Sequence, residues 1–184
     1  MPSYLPVSVL ALAFSMFVSA CAGDIESVRE LIPEGEDFTS LLAGNYRELS
    51  LFEADRMYDW PDASRYAEKA LAAAQGVPPP PESLADWHIP ADQSSRRGAA
   101  RAHLIAAFEE GFALTDPAQA ATAQASFDCW VEQLEEGWQI SHIKQCRVAF
   151  KTALDGWRGR RITVSSVAAL PPHARRERGP CQCS

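Results

Sequence analysis

TDPAQAATAQASFDCWVEQLEEG, residues 115–137, decides the fold. Thr115 or Asp116 can accept a hydrogen bond from a first-turn N–H that has no helical partner. Pro117 follows where its own missing N–H is harmless. Ala120, Ala123, Phe127, Trp130 and Leu134 then recur at three- and four-residue steps, which line one helical face. Alanine on that face lets a neighbouring helix approach closely, and Gly137 ends the helix. Such a face needs apolar partners, and the flanking sequence supplies them as further helices.

Downstream, a helix over about Ser141 to Trp157 turns Ile143, Cys146, Phe150 and Leu154 inward. Upstream, one over Ser95 to Leu114 carries Ile105, Phe108 and Phe112. Another over Pro61 to Gln75 carries Ala63, Tyr66, Ala67, Ala70 and Leu71, with Gly76 as its C-cap. A helix over Asp37 to Tyr58 carries Phe38, Leu42, Tyr46, Leu49 and Phe52, and Asp59-Trp60-Pro61-Asp62 breaks it. Between residues 77 and 95, Pro78-Pro79-Pro80-Pro81 excludes helix and favours an extended polyproline form. Trp87 and Ile89 are expected to pin that loop to the body. Only Arg161 to Val167 reads as a strand. The expected fold class is all-α: about five antiparallel helices in a bundle or in stacked helical hairpins. Tyr46 to Gly76 has a faint tetratricopeptide character, but no 34-residue repeat follows.

The N-terminus carries an address. Leu5 to Val18 is a run of 14 mostly apolar residues, too short for the ~20 of a membrane-spanning helix and of signal-peptide length. It closes on Val18-Ser19-Ala20-Cys21, small residues before a cysteine, as a bacterial lipoprotein signal does. Cys21 is the expected lipidation site. Ala22, rather than Asp, in the following position points to the outer membrane. The expected organisation is a signal peptide over 1–20, a lipidated tether over 21–36, a helical periplasmic domain over 37–157 and a basic tail over 158–184. In the tether, Ile25, Val28 and Ile32 can form a turn or two of helix.

Charge is split along the chain. Residues 1–155 hold 11 Lys/Arg against 23 Asp/Glu, a net of −12, while residues 156–184 hold six Arg against Glu177, a net of +5. An acidic body argues against nucleic-acid binding. The basic tail can meet anionic lipid or the body itself.

Four cysteines remain after Cys21. Cys129 and Cys146 each lie eight or nine residues from a turn centred near Gly137 and Trp138, so an antiparallel hairpin puts them side by side. An oxidising periplasm then favours a disulfide, whose closed loop of about 18 residues is worth ~3 kcal/mol in the chain-entropy model. The competing arrangement is a metal site: Cys146 and His142 four apart on one helix, Cys129 across the hairpin and Glu132 as a fourth ligand. Cys181-Gln182-Cys183 can bind copper or exchange disulfides, but within the tail it reads as incidental. Glu132, Glu135 and Glu136 can be paired acid/base carboxylates, yet at a helix end they read first as a solvated acidic face. No nucleophile elbow, P-loop or dinucleotide fingerprint is present. No catalytic residue and no cofactor are expected.

Two stretches carry a family resemblance. One is Tyr58-Asp59-Trp60-Pro61-Asp62-Ala63 with Tyr66-Ala67-Glu68-Lys69-Ala70. The other is Phe127-Asp128-Cys129-Trp130 through Glu136, followed by Ile143 and Cys146-Arg147-Val148-Ala149-Phe150. Together they resemble the helical N-terminal region of alphaproteobacterial OmpA-family outer-membrane lipoproteins, from roughly Phe38 to Leu154. The resemblance implies a tethered, non-enzymatic envelope protein whose helical domain is structural or contacts another envelope protein. Family members continue into a peptidoglycan-binding domain that contacts diaminopimelate through an Asp and an Arg. Nothing after Trp157 resembles it, so no wall-contacting residue carries over. The charge reversal near Gly156 fits either a truncated or frameshifted end or a genuine short paralogue.

Overall fold

The computed structural model describes residues 24–89 and 91–168, the backbone alone for 91–93 and 161–168. The described residues form seven α-helices and no strand. They are α1 (24–30), α2 (Phe38–Phe52), α3 (Trp60–Ala74), α4 (Ala91–Glu109), α5 (Phe112–Thr115), α6 (Pro117–Glu136) and α7 (Ile140–Ala168). No described helix is long and apolar enough to cross a membrane.

Helix α6 is the centre of the molecule. The Asp116 carboxylate caps its first turn by accepting from the Gln119 N–H, and Gly137 closes it in the left-handed conformation at φ 75°. From Ala123 to Leu134 every side chain except Ser126 is buried. The expected one-sided face is therefore half of what α6 buries, because it has neighbours on both sides. Helices α2 and α3 cover one side, where Ala121 and Ala125 meet Leu42, Tyr46, Ala63, Tyr66 and Ala70. On the other side Phe127, Trp130 and Leu134 meet Leu104, Phe112, Phe150 and Leu154. A helix buried all round is the mark of a core helix.

Local chemistry sets the ends of α2 and α3. Asp37 caps α2 by accepting from the Thr39 and Ser40 N–H groups. The helix then widens into a π-turn, Glu53–Met57, and Tyr58 leaves it at φ 58°. Asp59 caps α3, with Pro61 in the first turn.

Several expectations move. Residues 95–114 are not one helix: Gly111, at φ +88°, bends the chain between α4 and α5. Residues 161–167 are the last turns of α7, not a strand. Continuing a formed helix adds a hydrogen bond per residue, whereas a strand needs a partner edge. Helix α7 therefore passes the expected domain boundary at 157. The tether docks as well. Ile25 and Val28 are buried against α2, Arg29 pairs with Asp55 at 2.8 Å, and Arg47 donates to the Val28 carbonyl. Ile32, the third apolar residue, is 79% exposed. The proline loop is fixed by hydrogen bonds from Gln124 to the Pro79 carbonyl and from Arg101 to the Pro81 and Glu82 carbonyls. Trp87 is buried beneath it, with Ile89 packed against the same cluster.

Candidate functional site

Cys129 on α6 and Cys146 on α7 are joined by a disulfide, with Cα atoms 5.8 Å apart. The hairpin turn at Gly137 places them opposite one another. One turn before Cys146, His142 lies with Nε2 3.8 Å from the Cys129 sulfur. Its ring packs on Phe52 at 4.5 Å, and burial lowers its pKa. Ligand atoms of Cys129, His142 and Cys146 all lie within 4.8 Å of one another. Bonded to each other, the sulfurs offer no thiolate. Reduced, they would present two thiolates and an imidazole, a donor set suited to zinc. A cavity of about 250 Å³ reaches this seam, with Asn45, Glu48, Ser126 and Gln145 in its wall. Glu132 does not join the three ligands.

Glu132 instead corrects the expectation of a solvated acidic face. It is 1% exposed, beside a second buried carboxyl, Glu53, at the start of the π-turn. The Gln133 side-chain amide donates to Glu132 and to Glu136. Both Glu53 oxygens, one Glu132 oxygen and the Tyr66 hydroxyl have no hydrogen-bond partner among the described residues. Burial first, and then neighbouring carboxylates, push Glu132 up to about 9 and Glu53 to about 8. At neutral pH both are therefore neutral acids. Sequence reasoning missed Glu53, because its charge argues for the surface and the apolar stripe of α2 ends at Phe52.

A third polar cluster centres on Asp128, which is fully buried. It accepts from the Tyr46 hydroxyl at 2.6 Å, Lys69 Nζ at 2.7 Å and the Glu82 backbone N–H at 2.8 Å. Lys69 also pairs with the Glu82 carboxylate, which accepts from the Trp87 indole. Arg65 stacks over Trp87 at 4.4 Å. Burial pushes the Asp128 carboxyl up, and Lys69 with the donated hydrogen bonds pulls it down. The cluster ties α2, α3, α6 and the proline loop together.

A cleft of about 700 Å³ opens between α4 and α7. Arg147, Lys151 and Arg158 line it from α7, and Arg96 and Arg97 from α4. Its apolar wall is Trp130, Phe150 and Leu154. The Arg97 guanidinium lies 5.0 Å over the Trp130 ring. Sequence reasoning missed this cleft because its charges sit on two helices 40 or more residues apart. The step from Arg147 to Lys151 to Arg158 along one face was the available signal.

Of the other histidines, His88 is exposed and bonded to Glu135 at 3.0 Å, and His103 lines the α4–α7 cleft. Cys21, His173, Cys181 and Cys183 lie outside the described residues. Comparison with family models, with curated proteins and with solved structures returns no match.

Proposed function

We propose that the chain is a lipid-anchored protein of the Gram-negative outer membrane whose helical domain faces the periplasm and serves in binding rather than catalysis. The observation that carries this reading is the Cys129–Cys146 disulfide across the α6–α7 hairpin. Structural disulfides persist in oxidising compartments, and Val18-Ser19-Ala20-Cys21 is a route into one. The resemblance to the helical region of OmpA-family lipoproteins supports the same address. Binding is favoured over acid/base chemistry because the two strongly displaced carboxyls, Glu53 and Glu132, line neither of the two cavities described. The partners expected are the membrane, through acyl chains on Cys21, and another envelope component. The test is metabolic labelling with a palmitate analogue followed by membrane fractionation. Wild type should be labelled and sediment with the outer membrane; Cys21→Ser should be unlabelled. Equal labelling of the two would refute the anchor.

A second reading rests on the convergence of Cys129, His142 and Cys146 within 4.8 Å: in a reducing setting these residues would bind a metal. Two reactive thiols with stoichiometric zinc in the isolated protein would favour it. Absence of reactive thiol at both positions would favour the disulfide.

A further inference from the structure

We propose that the α4–α7 cleft binds a monomeric anionic amphiphile: a single phosphate, sulfonate or carboxylate head carried on an apolar chain. The cleft stands on its own residues and does not require the anchor at Cys21.

Charge is the first support. Five cations, Arg96, Arg97, Arg147, Lys151 and Arg158, line the cleft with one carboxylate, Asp155. They gather in a chain whose first 155 residues carry a net charge of −12. Outside the cleft, Arg29 pairs with Asp55 and Arg160 with Asp116, while exposed Arg56 and Lys144 stand apart from one another with no ion pair among the described residues. Arg96, Arg147, Lys151 and Arg158 make no ion pair or side-chain hydrogen bond among the described residues. Like charges held around one concavity repel, and a bound anion relieves that repulsion while gaining charge-assisted hydrogen bonds.

The floor is the second support. Trp130, Phe150 and Leu154 give the cleft an apolar wall behind its charged rim. The Trp130 ring is held in place by the Arg97 guanidinium 5.0 Å over it. Trp130, Phe150 and Leu154 are themselves buried, so the apolar surface open to a ligand is their edges together with exposed Ala99 and half-buried Ala100. A small inorganic anion meets the rim alone, whereas a short alkyl chain also lies along that apolar strip.

Shape is the third. Ala99 and Ala100 face the cleft from α4, opposite the large rings of Trp130 and Phe150, so α4 does not fill the space. The resulting volume of about 700 Å³ falls within the ~300–1,000 Å³ usual for small-molecule sites. Cations around a concavity of that size suit one molecule entering, rather than a flat bilayer surface.

The test is calorimetric titration of the purified full chain with octyl phosphate, inorganic phosphate and uncharged octyl glucoside, each below its micelle concentration. Octyl phosphate should bind one to one, about tenfold or more tighter than either control, the loss expected on removing one charge-assisted hydrogen bond or the apolar contact. Arg147→Glu/Lys151→Glu should weaken binding by at least about tenfold. Both side chains are exposed, so circular dichroism and Tm should not change. Ala99→Trp, which fills the cleft and alters no charge, should weaken octyl phosphate more than inorganic phosphate. Equal binding of octyl glucoside, equal binding of inorganic phosphate, or charge reversal without effect would each overturn the proposal. So would binding confined to vesicles of anionic phospholipid, which would move the cations to a membrane surface.

Discussion

Asp128 holds three donors while fully buried, and its nearest cation, Lys69, is itself only 13% exposed. Removing Asp128 leaves the buried Tyr46 hydroxyl and Glu82 N–H without their acceptor and Lys69 with Glu82 as its remaining acid partner. Asp128→Ala should therefore destabilise the domain by about 3–5 kcal/mol, measured by urea unfolding. Tyr46→Phe, which removes one neutral donor to that carboxylate, should cost a smaller ~1–2 kcal/mol. Glu132 and Glu53 work in the opposite sense. Each binds its proton more tightly folded than unfolded, since burial raises them from 4.5 to about 9 and about 8. Their contribution to stability is complete below about 4.5 and is lost as pH rises through about 8 and 9. The Tm of wild type should fall between pH 5 and pH 9. Glu132→Gln, which can still accept from Gln133, should flatten that fall and raise Tm at pH 8. An unchanged fall in the variant would show that Glu132 is already ionised in the native state.

At the scale of elements, the α6–α7 hairpin and the α4–α5 bend make separate demands. The disulfide closes a separation of 17 residues between two helices that already pack along their lengths. Its loss in Cys129→Ala/Cys146→Ala should cost about 2–4 kcal/mol, read as a lowered Tm with unchanged helical content. An unchanged Tm would mean that the packing of Phe127, Trp130 and Phe150 holds the hairpin alone. A methyl group added at Gly111 would meet open space, but the backbone there has a φ of +88°. The expected ~1 kcal/mol penalty of Gly111→Ala therefore comes from backbone strain rather than from a clash.

For the whole molecule, α1 belongs to the core. Val28 is fully buried and shares a cluster with Leu42, Tyr46 and Tyr66. Val28→Asp should release α1 from α2. Brief proteolysis should then cut between α1 and α2 in the variant, near residues 31–36, well before the rest of the body. If the variant resists proteolysis there as wild type does, α1 is not held by this contact.

Helix identity was legible in the chain itself. Asp116 as a cap, Pro117 in the first turn and Gly137 as a stop act within a turn of where they stand, so spacing alone reveals them. The Cys129–Cys146 pairing was legible for a related reason: in a two-helix hairpin, equal distance from the turn is already a tertiary coordinate. Helical periodicity, however, reports one apolar face. It could not say that α6 lies between two layers and buries the other face too, taking Asp128 and Glu132 inside with it. Nor could it say that the π-turn carries Glu53 into the core, that α1 docks on α2, or that α7 continues to Ala168. The cationic cleft is the clearest case. Arg96 and Arg147 are ordinary surface residues on their own helices, and only the packing of α4 and α7 around the shared apolar floor makes them walls of one site. Local hydrogen bonding and side-chain period are written in the order of residues, whereas burial of a polar group and convergence of distant charges depend on which helices become neighbours.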